Sequence, residues 1–325
     1  MAEITHRFVQ TNGINMHIAE AGTGPLVIMC HGFPESWYSW RHQITALADA
    51  GFHAVAPDQR GYGQTEAPAP VEAYTQLHLV GDIVGLLAAL GEKTAVIAGH
   101  DWGAPVAWNS ALLRPDLFTA VIGLSVPFRS GVADTKKPTD RMRENFGKNF
   151  FYQLYFQTPG VAEHELQHDV RTSMRKFLFS ASGDAPSERV FGQAPETAFF
   201  LEQMTDPDEA ALPSWLTVAD IDFYTGEFQR AGFRGGLNWY RNIDRNAELM
   251  GGFVGAKITQ PALFVAGTRD GVITMSGGRP AVEKMLKDNV PNLRGLVLLD
   301  GAGHWTQQER PAEVNAEMIK FLKAL

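Results

Sequence analysis

The sequence predicts an α/β fold in which a mostly parallel central sheet is interrupted by a long helical insertion. Two observations predict it. In the first third of the 325-residue chain, short apolar runs typical of buried strands alternate with helical stretches. This alternation stops near residue 127 and resumes near residue 262. Strands that alternate with helices pair in parallel through right-handed crossovers, so a layered α/β sheet is expected.

The first part of the chain supplies most of the predicted sheet. Its strands are short, largely apolar runs at residues 25–30, 52–56, 94–98 and 121–124. Its helices are residues 37–47, 74–90 and 104–113. In the helix over 74–90, the spacing predicts a single buried face made of Leu77, Val80, Val84 and Leu87.

The last part of the chain returns to the same alternation, with strands at 262–266 and 296–299 and helices at 280–286 and 312–324. The stretch between the two parts is rich in aromatic residues, charges and Gly/Pro breaks, and it lacks clean strand runs. The predicted domains are therefore a core of residues 1–126 and 251–325 and a mostly helical insertion of residues 127–250.

Composition excludes several classes of function. The 28 Lys and Arg against 36 Asp and Glu give a net charge of -8, which argues against nucleic acid or an anionic membrane as the main partner. Cys30 is the one cysteine, so an internal disulfide and a cysteine-based zinc site are excluded. The histidines lack metal-ligand spacing, and we expect neither a metal nor a cofactor. No apolar run reaches the ~18 residues of a membrane span, and no signal peptide is recognisable, so a cytoplasmic protein is expected.

The most informative stretch is Gly-His-Asp-Trp-Gly at residues 99–103, directly between a predicted strand and a predicted helix. The pattern is typical of a nucleophile elbow, here with Asp101 as the nucleophile. Glycines suit both sides of the turn because so sharp a bend leaves little room for a Cβ atom. These residues alone leave a second interpretation open, in which Asp101 only caps the N-terminus of the following helix.

A nucleophile of this type needs a base, and the base needs an acid that orients it. Asp270 follows the strand predicted over 262–266, and His304 follows the strand predicted over 296–299. All three residues lie after the carboxyl ends of strands, where open α/β sheets bind ligands. Nucleophile, acid and histidine also occur in the order of a known catalytic triad. We therefore predict Asp101, Asp270 and His304 as the catalytic triad.

The loop His-Gly-Phe-Pro at residues 31–34 follows the first predicted strand and is expected at the same edge of the sheet. One backbone N–H from such a loop and one from the residue after the nucleophile can together bind an oxyanion. We predict Phe33 and Trp102 as these donors. A plain strand-to-loop turn would explain the Gly and the Pro but not the pairing with the elbow.

These motifs resemble those of the epoxide hydrolases of the α/β-hydrolase fold, nearly end to end, and the chain is similar to the hydrolase domain of the soluble epoxide hydrolases. The shared core motifs are HGFPESWYSWR at 31–41, DQRGYG at 58–63, GHDWGA at 99–104 and GAGHWTQQERP at 301–311. Two more lie in the insertion, YFQTPG at 155–160 and NWYR at 238–241, and the resemblance identifies the insertion as a lid domain.

The resemblance also gives roles to two lid tyrosines. In the family, one tyrosine from each lid motif holds the epoxide oxygen, which implies that role for Tyr155 and Tyr240. Phenols suit the task because each can hydrogen-bond the ring oxygen and then donate a proton as charge develops. From the residues alone, the lid tyrosines Tyr152 and Tyr224 are equally eligible.

The activity that the resemblance implies is hydrolysis of an epoxide to a vicinal diol, by way of an alkyl ester on Asp101 that His304-activated water cleaves. The expected partners are water and an apolar epoxide, and both a monomer and a homodimer stay open. An apolar pocket is suggested by lid aromatics, namely Phe150, Phe151, Phe156 and either Trp215 or Trp239.

Two rival functions share these features. A dehalogenase would use the same aspartate, histidine and ester intermediate. Haloalkane dehalogenases carry Asn where Phe33 stands, and fluoroacetate dehalogenases carry Arg where Trp102 stands, so the chain resembles them less. A non-catalytic ligand receptor on the same fold is the rival of another class, and an intact set of catalytic residues argues against it.

Overall fold

The computed structural model describes residues 2–131, 136–186 and 194–325, and within these ranges eight strands form one sheet. The strands are β1 (Thr5–Thr11), β2 (Ile14–Ala21), β3 (Leu26–Cys30), β4 (His53–Pro57), β5 (Ala95–His100), β6 (Phe118–Leu124), β7 (Ala262–Gly267) and β8 (Leu293–Leu299). Their spatial order is β1-β2-β4-β3-β5-β6-β7-β8. The strands from β4 to β8 in this order pair in parallel, and only β1 with β2 and β2 with β4 are antiparallel. The predicted mostly parallel sheet is confirmed.

The N-terminal hairpin of β1 and β2 is the part of the sheet that the strand patterns did not predict. Most residues of β1 are exposed, because the strand lies at the sheet edge and lacks the apolar run of a buried strand. Its sequence signal lies in the turn. Asn12 and Gly13 both have positive φ angles, 41° and 78°, as a two-residue hairpin turn of type I′ requires. An Asn-Gly pair between two strand-like runs was therefore the available clue.

Helices cover both faces of the sheet and also form the insertion. In chain order they are α1 (Arg41–Asp49), α2 (Gln76–Ala89), α3 (Gly103–Leu113), α4 (Pro138–Phe146), α5 (Tyr152–Tyr155), α6 (Val161–His168), α7 (Val170–Ser180), α8 (Val218–Ala231), α9 (Arg234–Arg241), α10 (Ile243–Leu249), α11 (Gly271–Met275), α12 (Gly278–Asn289), α13 (Thr306–Glu309) and α14 (Pro311–Lys323). Apolar residues of α1 and α14 pack on one face of the sheet. Those of α2, α3 and α12 pack on the other.

The buried face of α2 differs from the predicted one. Leu77 is 41% exposed, whereas Val80 and Leu87 are buried as expected. The buried side chains of α2 instead include Leu79 and Ile83. Val84, also predicted for the buried face, is only partly buried, so the apolar stripe runs through Leu79 and Ile83 and not through Leu77 and Val84.

The insertion lies between β6 and β7 and is helical where the structure describes it. Helices α4 to α10 belong to it, and an isolated bridge pairs Asn149 with Pro195. Residues 132–135 and 187–193, which fall within the predicted insertion 127–250, lie outside the described residues. None of the helices in the described ranges is both long and apolar enough to cross a membrane.

Helix α9 lies directly on the core loop that carries the DQRGYG motif. An ideal Cβ atom on Gly235 would lie 2.2 Å from the carbonyl oxygen of Gly61, so only glycine allows this approach. Four residues further along α9, the indole of Trp239 donates a hydrogen bond to the carbonyl of Arg60 at 3.2 Å. The position of α9, and with it that of Tyr240, therefore depends on close contact between two backbones.

The contact predicts opposite effects for two glycine substitutions in lid helices. Gly235→Ala is expected to destabilise the protein by about 1–3 kcal/mol, because the new methyl overlaps the backbone of Gly61. Gly226→Ala is the matched control, since an ideal Cβ atom there meets nothing within 4 Å. It is expected to stabilise the protein by about 0.5–1 kcal/mol through helix propensity. Urea unfolding measures both, and equal stability of the two variants would contradict the close contact.

Candidate active site

The elbow places Asp101 in the left-handed region of backbone conformation, with φ at 49°, between the end of β5 and the start of α3. An ideal Cβ atom on Gly99 would lie 2.0 Å from the oxygen of Gly103, and one on Gly103 would lie 2.1 Å from the oxygen of Cys30. The turn thus leaves no room for a Cβ atom at either glycine, as the sequence predicted. A non-glycine residue with positive φ is strained and marks a site that its surroundings hold in place.

The carboxylate of Asp101 faces the predicted oxyanion loop. Its Oδ1 accepts a hydrogen bond from the backbone N–H of Phe33 at 2.8 Å. Trp102 follows Asp101 directly and occupies the N-cap position of α3, where no side-chain cap bond forms. Asp101 is therefore not the N-cap of that helix, and the capping interpretation is wrong.

His304 lies between the two aspartates of the predicted triad. Its Nε2 is 3.4 Å from Oδ2 of Asp101, and its Nδ1 is 3.1 Å from Oδ1 of Asp270. Asp270 caps the N-terminus of α11, where its Oδ1 also accepts from the N–H of Val272 at 2.8 Å. The structure thus brings together the three residues that follow β5, β7 and β8.

Ser125 is a fourth member of this cluster that the sequence analysis missed. It follows β6 directly and has φ at 68°. Its hydroxyl donates to Oδ2 of Asp270 at 2.6 Å and lies 3.0 Å from Nδ1 of His304. The available signal was its position, because it follows a predicted strand at the same edge as the other three.

The charges of the cluster shift one another. Burial lowers the pKa of His304, but the negative charges of Asp270 and Asp101 and their hydrogen bonds outweigh burial and raise the pKa well above its ordinary value. Burial alone would raise the pKa of Asp101. The hydrogen bond and the charge of His304 outweigh burial, so the pKa of Asp101 is lowered. The pKa of Asp270 is lowered for the same reasons. These shifts all favour the charged forms, an imidazolium between two carboxylates.

Two lid tyrosines approach the nucleophile, and they are Tyr152 and Tyr240. Their ring centroids are 5.9 Å apart, and the ring of Tyr240 meets that of Trp102 edge-on at 5.0 Å. Burial and the charge of Asp101 raise the pKa of Tyr152 to about 12. Burial and the same charge raise the pKa of Tyr240 as well. Both phenols therefore lie within the field of the nucleophile and keep their protons at neutral pH.

The structure places Tyr155 elsewhere, which corrects the expectation from the motif. Its hydroxyl donates to Oε2 of Glu165 at 2.7 Å. Burial and this hydrogen bond raise the pKa of Tyr155, and the charges that act on it are those of Glu165 and Glu202. Tyr152 and Tyr155 begin and end the four-residue helix α5, and the hydroxyl of the second is bonded to Glu165 of α6.

Aromatic rings surround Phe33 at the mouth of the oxyanion loop. Its ring meets those of Phe156, Phe177 and Tyr240 edge-on, at 5.9, 5.7 and 5.5 Å. Of the lid aromatics named from the sequence, Phe156 thus lies at the site, and Trp239 meets Trp102 edge-on at 6.1 Å. The others contact different neighbours: Phe150 meets Tyr155 at 5.4 Å, Phe151 stacks on Phe146 at 4.0 Å, and Trp215 donates to Asp184 at 3.1 Å.

A buried glutamate supports the oxyanion loop from behind. Oε2 of Glu35 accepts from the N–H of Gly32 and contacts Nδ1 of His100, both at 2.8 Å. The other ring nitrogen of His100 lies 2.7 Å from the carbonyl oxygen of His304. Burial raises the pKa of Glu35, but the charge and hydrogen bond of His100 outweigh burial and lower it. This network joins the oxyanion loop to the backbone of the histidine.

No group of three His, Cys, Asp or Glu side chains within the described ranges could hold a metal ion. The cluster itself offers a carboxylate held ready for attack, an imidazole oriented by a second carboxylate, and phenols that can donate protons. Such a set suits nucleophilic attack followed by base-assisted hydrolysis.

Comparison with known proteins identifies the family. Residues 25–311 match a model of the alpha/beta hydrolase fold. The chain is 47% identical to epoxide hydrolase A of Mycobacterium tuberculosis, over all of this chain and 99% of that protein. It is 41% identical to an epoxide hydrolase of Caballeronia sordidicola, over 98% of this chain and 93% of that protein.

Solved structures agree with the sequence relatives. Epoxide hydrolase A of Mycobacterium thermoresistibile superposes with a TM-score of 0.90 at 49% identity and covers 99% of this chain and 98% of its own. An epoxide hydrolase from an endophytic Streptomyces also superposes with a TM-score of 0.90, at 45% identity, over 98% of this chain and 95% of its own. The chain therefore belongs to the epoxide hydrolases of the α/β-hydrolase fold family.

Proposed function

We propose that this enzyme hydrolyses an epoxide to a vicinal diol through an alkyl ester on Asp101. The observation that carries this mechanism is the position of the Asp101 carboxylate, 3.4 Å from His304 Nε2 and 2.8 Å from the N–H of Phe33, with the ring of Tyr240 against Trp102 and the ring of Tyr152 beside it. An aspartate suits the task because its alkyl ester can be hydrolysed, whereas the ether formed by a serine could not be.

In the first step, Asp101 attacks one epoxide carbon and the carbon–oxygen bond breaks. The electron pair goes to the ring oxygen, which would leave as a strongly basic alkoxide. Tyr152 and Tyr240 hydrogen-bond this oxygen, and one of them gives it a proton. We assign Tyr152 to the pair, in place of Tyr155, because the hydroxyl of Tyr155 is bonded to Glu165.

In the second step, His304 takes a proton from water and the resulting hydroxide attacks the ester carbonyl of Asp101. The N–H groups of Phe33 and Trp102 bind the oxyanion, and Phe33 already donates to Asp101 at 2.8 Å. The intermediate collapses, and His304 returns its proton to the departing diol oxygen. The proton that the Asp101 carboxyl group then releases restores the tyrosine.

The charge of the nucleophile controls when His304 can act as a base. In the resting enzyme, Asp101 and Asp270 both raise the pKa of His304. Ester formation removes the charge of Asp101, so that only the charge of Asp270 still raises the pKa of His304. The pKa of His304 then falls, and the imidazolium releases its proton to the solvent, so the neutral imidazole can act as a base once the substrate is bound covalently. His304 takes a proton back from the solvent when Asp101 is ionised again.

Further expectations accompany this mechanism. We propose residues 127–250 as the lid and residues 1–126 and 251–325 as the core, supported by the position of α4 to α10 between β6 and β7. We propose an apolar epoxide as the substrate, since the rings around Phe33 are Phe156, Phe177 and Tyr240. A cytoplasmic location and a monomeric or homodimeric state stay as predicted from the sequence.

The reaction class is tested by intact-protein mass spectrometry on His304→Gln, which should allow attack but slow ester hydrolysis by about 10²–10⁴-fold. Incubation with aryl or alkyl epoxides is expected to add the full mass of the epoxide. The adduct should disappear when Asp101→Ala is added. A gain equal to a haloalkane minus its hydrogen halide would make the enzyme a dehalogenase instead. If wild type turned over no epoxide and His304→Gln trapped no adduct, the receptor interpretation would hold.

The tyrosine assignment is tested by a matched pair of variants. Tyr152→Phe removes a proton donor and should slow formation of the ester by about 10²-fold or more in single-turnover measurements. Tyr155→Phe removes the hydrogen bond to Glu165, so it should cost about 1 kcal/mol of stability and leave ester formation unchanged. The reverse pattern, with Tyr155→Phe the slower variant, would restore the expectation from the motif.

The acid of the triad is tested through the titration of His304. Asp270→Asn removes the charge that raises the pKa of His304, so this pKa should fall, and kcat should fall by about 10²–10⁴-fold. Asparagine can still cap α11, which keeps the loop folded. Asp300→Asn, in the exposed turn before the histidine, is the control. An NMR titration of the His304 ring that gave one pKa for all three proteins would contradict the assignment.

A further inference from the structure

Glu309 is a buried carboxylate for which the mechanism above has no use. It ends the short helix α13, five residues after His304, and is 7% exposed. Its two oxygens accept three backbone N–H groups. Oε2 accepts from Gly303 at 2.8 Å and from Gly183 at 2.9 Å, and Oε1 accepts from Trp305 at 3.0 Å. Two of these donors are the residues on either side of His304.

The third donor belongs to the lid. Gly183 lies in the stretch 181–185 that follows α7, and this lid stretch makes further contacts with the catalytic loops. The carbonyl of Ala181 accepts from the N–H of His304 itself at 2.9 Å. The guanidinium of Arg269, next to Asp270 in the chain, donates to the carbonyl of Gly183 and, at 2.8 Å, to that of Ala185. The lid thus holds the backbone beside two members of the triad.

The fit between the lid stretch 181–185 and the histidine loop is too close for side chains. An ideal Cβ atom on Gly183 would lie 2.0 Å from the oxygen of Gly301, and one on Gly303 would lie 2.2 Å from the nitrogen of Gly183. Because the two segments are this close, the N–H group of Gly183 and those of Gly303 and Trp305 point into one small space. An anionic acceptor in that space satisfies donors from both sides at once.

Only an ionised carboxylate can make these three bonds. It has two oxygens and no donor, whereas a glutamine of the same size would direct an NH₂ group at a backbone N–H. Burial raises the pKa of Glu309, and the three N–H bonds oppose that shift without cancelling it. The geometry therefore favours the carboxylate, with three N–H donors around two oxygens beside the residue whose position matters most for the second step.

We propose that Glu309 is a positioning residue that holds the backbone of His304 at the lid for the ester-hydrolysis step. The proposal rests on the function proposed above, in which His304 is the base of the second step only. Attack by Asp101 needs the carboxylate and the two phenols, none of which Glu309 touches. Loss of the carboxylate should therefore separate the two steps, because a misplaced base slows proton transfer from water but not ring opening.

The test is Glu309→Gln, with Glu313→Gln as the matched control in the exposed first turn of α14. Pre-steady-state measurements with an aryl epoxide should show that Glu309→Gln slows ester hydrolysis by about tenfold or more and leaves ester formation unchanged. The ester should then accumulate and be visible by intact mass, as it is with His304→Gln. Glu313→Gln should behave as wild type in both steps.

Three results would overturn the proposal. One is an equal slowing of both steps, another is slowing of ester formation alone, and the third is a lower melting temperature with an unchanged hydrolysis rate. If Glu309→Gln does not fold, Glu309→Asp keeps the charge but is one methylene shorter, and the same selective loss is expected of it. Wild-type turnover of the epoxide, measured beside the variants, separates this outcome from failure of the proposed function, in which wild type would also be inactive.

Discussion

One buried imidazole between two buried carboxylates is the interaction on which the rest of the structure depends. His304 lies 3.4 Å from Asp101 and 3.1 Å from Asp270, and removing His304 would leave two buried carboxylates without a cation between them. The arrangement holds only while three strand ends keep their register. The parallel pairing of β5 to β8 sets that register, and Ser125 at the end of β6 supplies the remaining hydrogen bond to Asp270.

In the proposed mechanism the lid takes part in the chemistry and is not only a cover. It places the phenols of Tyr152 from α5 and Tyr240 from α9 within reach of the charge of Asp101, and the close backbone contact of Gly235 with Gly61 sets the distance of α9. Another part of the lid contacts the histidine, where the carbonyl of Ala181 accepts from the N–H of His304. In the proposed mechanism the two chemical steps therefore use different lid contacts, and both contacts lie beside glycines, Gly235 and Gly183.

The catalytic triad was readable from the sequence because each member follows a strand with a local pattern of small residues. The strands from β3 onward were readable because buried parallel strands are continuous apolar runs. The hairpin of β1 and β2 was not, since an edge strand lacks such a run, although Asn12 and Gly13 marked its turn. The position of Ser125 after a predicted strand was only a weak signal, and Glu309 gave none, because a serine after a strand and a glutamate in a helix have many ordinary uses.

The sequence by itself determined the fold class, and it predicted Asp101, Asp270 and His304 as a group that the structure brings together. A sharp turn and a buried strand each impose a pattern on neighbouring residues, and such patterns are visible without coordinates. Only the tertiary structure distinguishes the two tyrosines of α5, because the charge of Asp101 acts on Tyr152 and not on Tyr155. Tyr152 and Tyr155 are three residues apart on one short turn, and their spacing favours neither. The difference comes from Glu165, a residue of another helix, which binds the hydroxyl of Tyr155 at 2.7 Å. Contacts between distant segments depend on how helices pack, and a local sequence pattern does not predict that packing.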